Sequence, residues 1–128
     1  MKPTDFSKNL ADFLTHYLPG EKGASKNTIA SYKDAFILFL TFLKERENIP
    51  AERLTLSQIT KEAVVKFLDW LEEERDCCAA TRNVRLAALH SFFQYLQYQN
   101  PENLMEWQRI MSIPVKRTEK STINYLSV

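Results

Sequence analysis

Thr28-Ile29-Ala30-Ser31-Tyr32-Lys33-Asp34-Ala35-Phe36-Ile37-Leu38-Phe39-Leu40-Thr41-Phe42-Leu43-Lys44-Glu45-Arg46-Glu47 contains neither glycine nor proline. Ile29, Tyr32, Phe36, Phe39, Leu40 and Leu43 recur at steps of three and four, the spacing of one helical face. Ala35, Leu38 and Phe42 widen that stripe, so the spacing predicts a helix from about Thr28 to Glu47 that packs on more than one side. Asn48-Ile49-Pro50 stops it.

The same pattern recurs on both sides. Before it, Phe6, Leu10, Phe13, Leu14 and Tyr17 define a first helix, capped by Thr4 or Asp5 and ended by Pro19-Gly20. Residues 21–27 are a polar loop. After it, 51–59 form a connector whose Leu54, Leu56 and Ile59 are expected to tuck into the core. Thr60 then caps a third helix with Val64, Phe67, Leu68 and Leu71 inside, ending in the acidic run Glu72-Glu73-Glu74-Arg75-Asp76. A fourth helix is predicted over about Ala80 to Tyr98, with Val84, Ala88, Leu89, Phe92, Phe93 and Leu96 as its apolar face. Asn83, His90, Gln94 and Gln97 share the opposite face at roughly 100° per residue. Asn100-Pro101 ends it, and a short fifth helix near Leu104 to Met111 carries Trp107 and Ile110 inward.

The 128 residues fit one domain, and eight Phe among 45% apolar residues can build a core. Only two Gly are present, which favours helices over a turn-rich β fold. The fold class expected is all-α. Ser112 to Ser121, with Pro114, Lys116, Arg117 and Lys120, is expected to be a linker. The apolar pattern beginning at Ile123-Asn124-Tyr125-Leu126 is expected to continue past Val128. The division is thus 1–111 as helical domain and 112–128 as linker and the start of a further domain.

Function classes narrow next. The formal charge of +1 gives no overall basic footprint. Cys77 and Cys78 are adjacent, a spacing that suits neither a disulfide framework nor a zinc site. A reduced, cytoplasmic protein follows, with no signal peptide and no membrane partner. His16 and His90 lie in different helices without a nucleophile beside them, and no Gly-rich phosphate loop is present. No catalytic residue, metal site or cofactor is therefore expected.

Local charge says more. Lys22, Ser25, Lys26, Asn27, Thr28, Ser31 and Lys33 surround the start of the second helix. Thr81, Arg82, Asn83 and Arg85 surround the start of the fourth, with His90 and Gln94 further along. Helix starts carry free N–H groups and a positive dipole end that suit phosphate. Asn, Gln, Arg and Lys also read base edges in the major groove. The acidic groups cluster elsewhere, at Glu45–Glu47 and Glu72–Asp76. Ordinary capping and a snorkelling Arg85 explain the same residues, so a DNA-binding domain and a helical protein-interaction bundle both stay open at this point.

The order of motifs resembles a known family. Ser25-x-x-Thr28-x-x-x-Tyr32, followed by Phe36 and Phe39-Leu40-x-Phe42-Leu43, resembles the second helix of the tyrosine-recombinase (phage-integrase) core-binding domain. Thr81-x-x-x-x-Leu86-x-x-Leu89-x-x-Phe92-Phe93-x-x-Leu96 resembles its fourth. Leu56-x-x-Ile59-Thr60 with Val64-x-x-Phe67-Leu68 is similar to the start of its third. Asn100-Pro101 and Ile113-Pro114-x-Lys116 resemble its closing turn and interdomain linker. The resemblance implies a SAM-like bundle of four to five helices that binds a double-stranded DNA half-site alongside other recombinase protomers. It implies a separate catalytic domain with a Tyr nucleophile, two Arg, a Lys and His residues, which makes a transient 3′-phosphotyrosyl link. None of that set maps onto this chain, and Tyr125 would stand at that domain's entrance. Lys26, Asn27, Thr28, Lys33, Thr81, Arg82, Asn83, Arg85, His90 and Gln94 are the residues expected to face DNA. The family often has Arg or Lys where this chain has His90, which would weaken a phosphate contact at neutral pH.

Overall fold

The computed structural model describes residues 4–99 and 101–116. Five α-helices follow one another: α1 Asp5–Asp12, α2 Lys26–Arg46, α3 Lys61–Glu74, α4 Ala79–Gln99 and α5 Leu104–Met111. No strand occurs among the described residues, nor any helix long and apolar enough to cross a membrane.

Local chemistry sets the ends. Thr4 accepts the N–H of Ser7, Ser25 that of Thr28 and Thr60 that of Ala63, each as the capping residue of its helix. Asn48 and Asp76 take left-handed φ values of 58° and 54° after α2 and α3. The N–H groups of Ile49 and Cys77 then fold back onto the carbonyls of Leu43 and Leu71, each at 3.0 Å.

α1 departs from expectation. The helix runs straight on through Phe13–Glu21 in wider π-type turns, with Pro19 inside them. The wider turn relieves the clash a proline ring makes with the carbonyl four residues back. The run ends at Glu21; Gly23 then takes a φ of 62°, and the Ala24 N–H bonds to the Leu18 carbonyl at 2.8 Å. Pro19-Gly20 therefore does not end the helix, and α2 begins at Lys26 instead of Thr28.

Aromatic rings knit the layers together. Phe13 meets Tyr32 and Phe36 of α2 and Phe92 and Tyr95 of α4. Phe39 and Phe42 of α2 pack on Phe67 of α3, and Phe93 packs on Trp107 of α5. Leu54, Leu56 and Ile59 of the connector are buried as expected. α4 touches all four other helical segments, so its buried face is broad: Leu86 and Tyr95 join it, and Val84 does not, being 48% exposed. Val84 lies outward because α4 is rotated to put Arg82, Leu86, Leu89 and Phe93 inside.

α5 is bound by polar contacts as well. Glu106 accepts the N–H of Lys61 at 2.8 Å, at the start of α3. Arg109 bridges Glu106 and Glu62.

Candidate nucleic-acid interface

α2 and α4 cross near their beginnings. Arg85 Nη1 of α4 lies 3.5 Å from the carbonyl of Ser31 in α2. At about 1.5 Å of rise per residue, each helix start lies within roughly 10 Å along its axis from that contact. Two helix N-termini are thus brought to one side of the bundle.

The α2 start is open. Lys22, Lys26, Asn27, Thr28 and Lys33 are exposed, and the three lysines make no ion pair among the described residues. Lys26 and Lys33, two turns apart, share one face. Ser25 satisfies only Thr28 at this start, leaving the first N–H groups directed outward. Glu21 and Asp34 lie in the same stretch and are also exposed.

The α4 start is different. Thr81 is half-buried, its Oγ1 3.5 Å from Cys78 Sγ. Arg82 is 8% exposed, with Nε and Nη1 lacking hydrogen-bond partners. Its counter-charge is Glu72 of α3, at 3.6 Å. Asn83 is engaged in two hydrogen bonds with the backbone of Lys116: its Nδ2 donates to the carbonyl at 2.7 Å and its Oδ1 accepts the N–H at 2.8 Å. His90 Nε2 donates to the Ile110 carbonyl at 3.1 Å. Burial holds the His90 imidazole below its ordinary pKa, an effect this bond partly offsets. Gln94 alone of the α4 polar stripe is exposed.

The ten residues expected to share a surface therefore separate. Lys26, Asn27, Thr28, Lys33 and Gln94 are open. Arg85 links α2 to α4, whereas Thr81 is half-buried and Arg82, Asn83 and His90 are occupied within the domain. The acidic run is not remote either, because Glu72 lies against Arg82 and Lys116. The outward stripe of α4 is instead Ala80, Val84, Ala87, Ser91, Gln94 and Tyr98. Its small side chains were legible in the sequence, but the helix phase that turns them outward was not. Among the described residues no group of His, Cys, Asp and Glu side chains could hold a metal ion.

Residues 11–100 match the family described as phage integrase, N-terminal SAM-like domain. The chain is similar to two putative integrase/recombinases of Sinorhizobium fredii, 37% and 33% identical over 92% of its length, covering 36% and 42% of theirs. It is also similar to the tyrosine recombinase XerC of Herpetosiphon aurantiacus, 36% identical over 73% of this chain and 28% of that protein. The chain thus spans well under half the length of these relatives. No solved structure matches it.

Proposed function

Since this chain belongs to the phage-integrase N-terminal SAM-like domain family, we propose that it is the double-stranded-DNA-gripping module of a site-specific tyrosine recombinase. Strand cleavage and joining fall to a catalytic domain, and other protomers of the same recombinase are its partners on the half-site. The observation that carries this reading is the crossing at Arg85 and Ser31, which sets two helix starts side by side, one of them lined by unpaired lysines.

Lys22, Lys26 and Lys33 contact phosphates in this reading, helped by the N–H groups at the start of α2. The small outward residues of α4 let that helix approach the DNA closely, and Asn27, Thr28 and Gln94 reach base edges. Arg85 holds the two helices at the angle the groove requires. Asn83 and His90 are spent on backbone contacts within the domain, and Arg82 is buried there.

A mobility-shift comparison on the element's own end sequence tests the assignment. Lys26→Ala and Lys33→Ala weaken binding to any duplex, while Gln94→Ala costs about 1–3 kcal/mol of discrimination if its contact is bidentate. Unchanged affinity in both lysine variants removes this face as the DNA-binding surface.

A further inference from the structure

After α5 the chain stays on the bundle. Ile113 is buried, 4% exposed, with its N–H on the Ile110 carbonyl at 3.1 Å. Three residues on, Lys116 lies against the first turns of α4 and is held twice. Asn83 both donates to and accepts from its backbone, at 2.7 and 2.8 Å. This is the pair of bonds one residue of an antiparallel strand exchanges with its partner, supplied here by a side chain. The Lys116 ammonium meanwhile lies 2.8 Å from both carboxylate oxygens of Glu72 on α3.

The chemistry of position 83 is specific. An amide side chain carries donor and acceptor on one planar group, which matches the C=O and N–H of one residue. Aspartate would offer only the acceptor, and alanine neither. An exposed ion pair such as Lys116–Glu72 contributes little alone, so the backbone pair with Asn83 fixes the position and the ion pair adds direction.

We propose that Asn83 is a latch for the chain's own exit segment, so that no pivot lies between Ser112 and Lys116. Residues 113–116 then belong mechanically to the helical domain. They are not part of any free tether, although the sequence division at 111 and 112 assigns them to a linker. Tether length sets the effective concentration of a second module on the same ligand. The latch holds whether or not the domain binds DNA.

Amide hydrogen exchange on the isotope-labelled chain, read residue by residue by nuclear magnetic resonance, tests it. The Lys116 amide is protected in the parent, and Asn83→Ala speeds its exchange roughly three- to tenfold, the worth of one net hydrogen bond. The amides of Cys77 and Ile113, held by backbone carbonyls, keep their rates. The proposal is overturned if Lys116 exchanges at the unprotected rate in the parent, or if Asn83→Ala leaves it unchanged. Should Asn83→Ala loosen the whole fold, the Lys116 rate relative to those of Cys77 and Ile113 decides: a rise at Lys116 beyond theirs supports the latch, and an equal rise at all three overturns it.

Discussion

Replacing Arg82 with Met should cost almost nothing, whereas replacing its counter-charge Glu72 with Gln should cost a great deal. The guanidinium is more than nine-tenths buried, two of its nitrogens have no hydrogen-bond partner, and Glu72 lies 3.6 Å from Nε. Two unit charges at that distance attract by roughly 4–5 kcal/mol at an effective dielectric of about 20. Glu72 keeps 25% of its side chain exposed, which screens part of this. Glu72→Gln therefore leaves a buried cation uncompensated, for about 2–4 kcal/mol. Arg82→Met loses the same attraction, but it also removes the desolvated charge and its unpartnered N–H groups. Met retains the flexible apolar stem, and Glu72 still has Lys116 at 2.8 Å. The net change should stay within about 1 kcal/mol of zero, in either direction. Urea unfolding followed by circular dichroism reads the contrast: the Glu72→Gln midpoint falls by roughly 1–2 M, and the Arg82→Met midpoint barely moves. If Arg82→Met is as destabilising as Glu72→Gln, the account of a poorly satisfied buried cation is wrong.

Three further outcomes follow from the packing. Trp107→Ala, which empties a fully buried site beside Phe93, should lower stability by about 3–5 kcal/mol in thermal or urea unfolding; a loss under 1 kcal/mol would show that α5 is not part of the core. Because burial depresses the His90 pKa, the unfolded chain takes up a proton below pH ~6.5 that the folded chain refuses. Stability should be fully present above that pH and fall below it, and His90→Gln should flatten the fall; an unaltered slope contradicts the assignment. Cys78 is exposed, and the Thr81 hydroxyl holds its thiol below the ordinary pKa, so iodoacetamide should modify it well before half-buried Cys77, as peptide mapping would show.

The helices were legible because their signals are local. Steps of three and four placed Phe36, Phe39 and Leu43 on one face, and Thr60 announced the start of α3 as its capping residue. Leu54, Leu56 and Ile59 stood out as apolar residues in a polar connector. The extension of α1 past Pro19 left no such mark, because widening a turn changes the hydrogen-bond register and not the composition. α4 lies rotated from the face its sequence suggests. A helix packed against neighbours on most sides has a broad stripe whose centre is poorly defined, and Val84 fell on the wrong side of it. Of the residues expected to face DNA, Lys26, Asn27, Thr28, Lys33 and Gln94 have the exposure the sequence suggests. Asn83 and His90 look like free polar groups along the sequence, yet their partners lie 33 and 20 residues away. Nothing near either residue signals such a contact.

If this chain grips duplex DNA through phosphates, its binding weakens with salt in proportion to the phosphates it neutralises. Fluorescence anisotropy of a labelled duplex, titrated with the chain at several salt concentrations, gives the slope of log K against log salt. Contacts from Lys22, Lys26 and Lys33 predict a straight line falling with a slope of about −2 to −3, since each phosphate neutralised contributes about −0.9. Binding that is absent at the lowest salt, or that does not change with salt, would contradict the account.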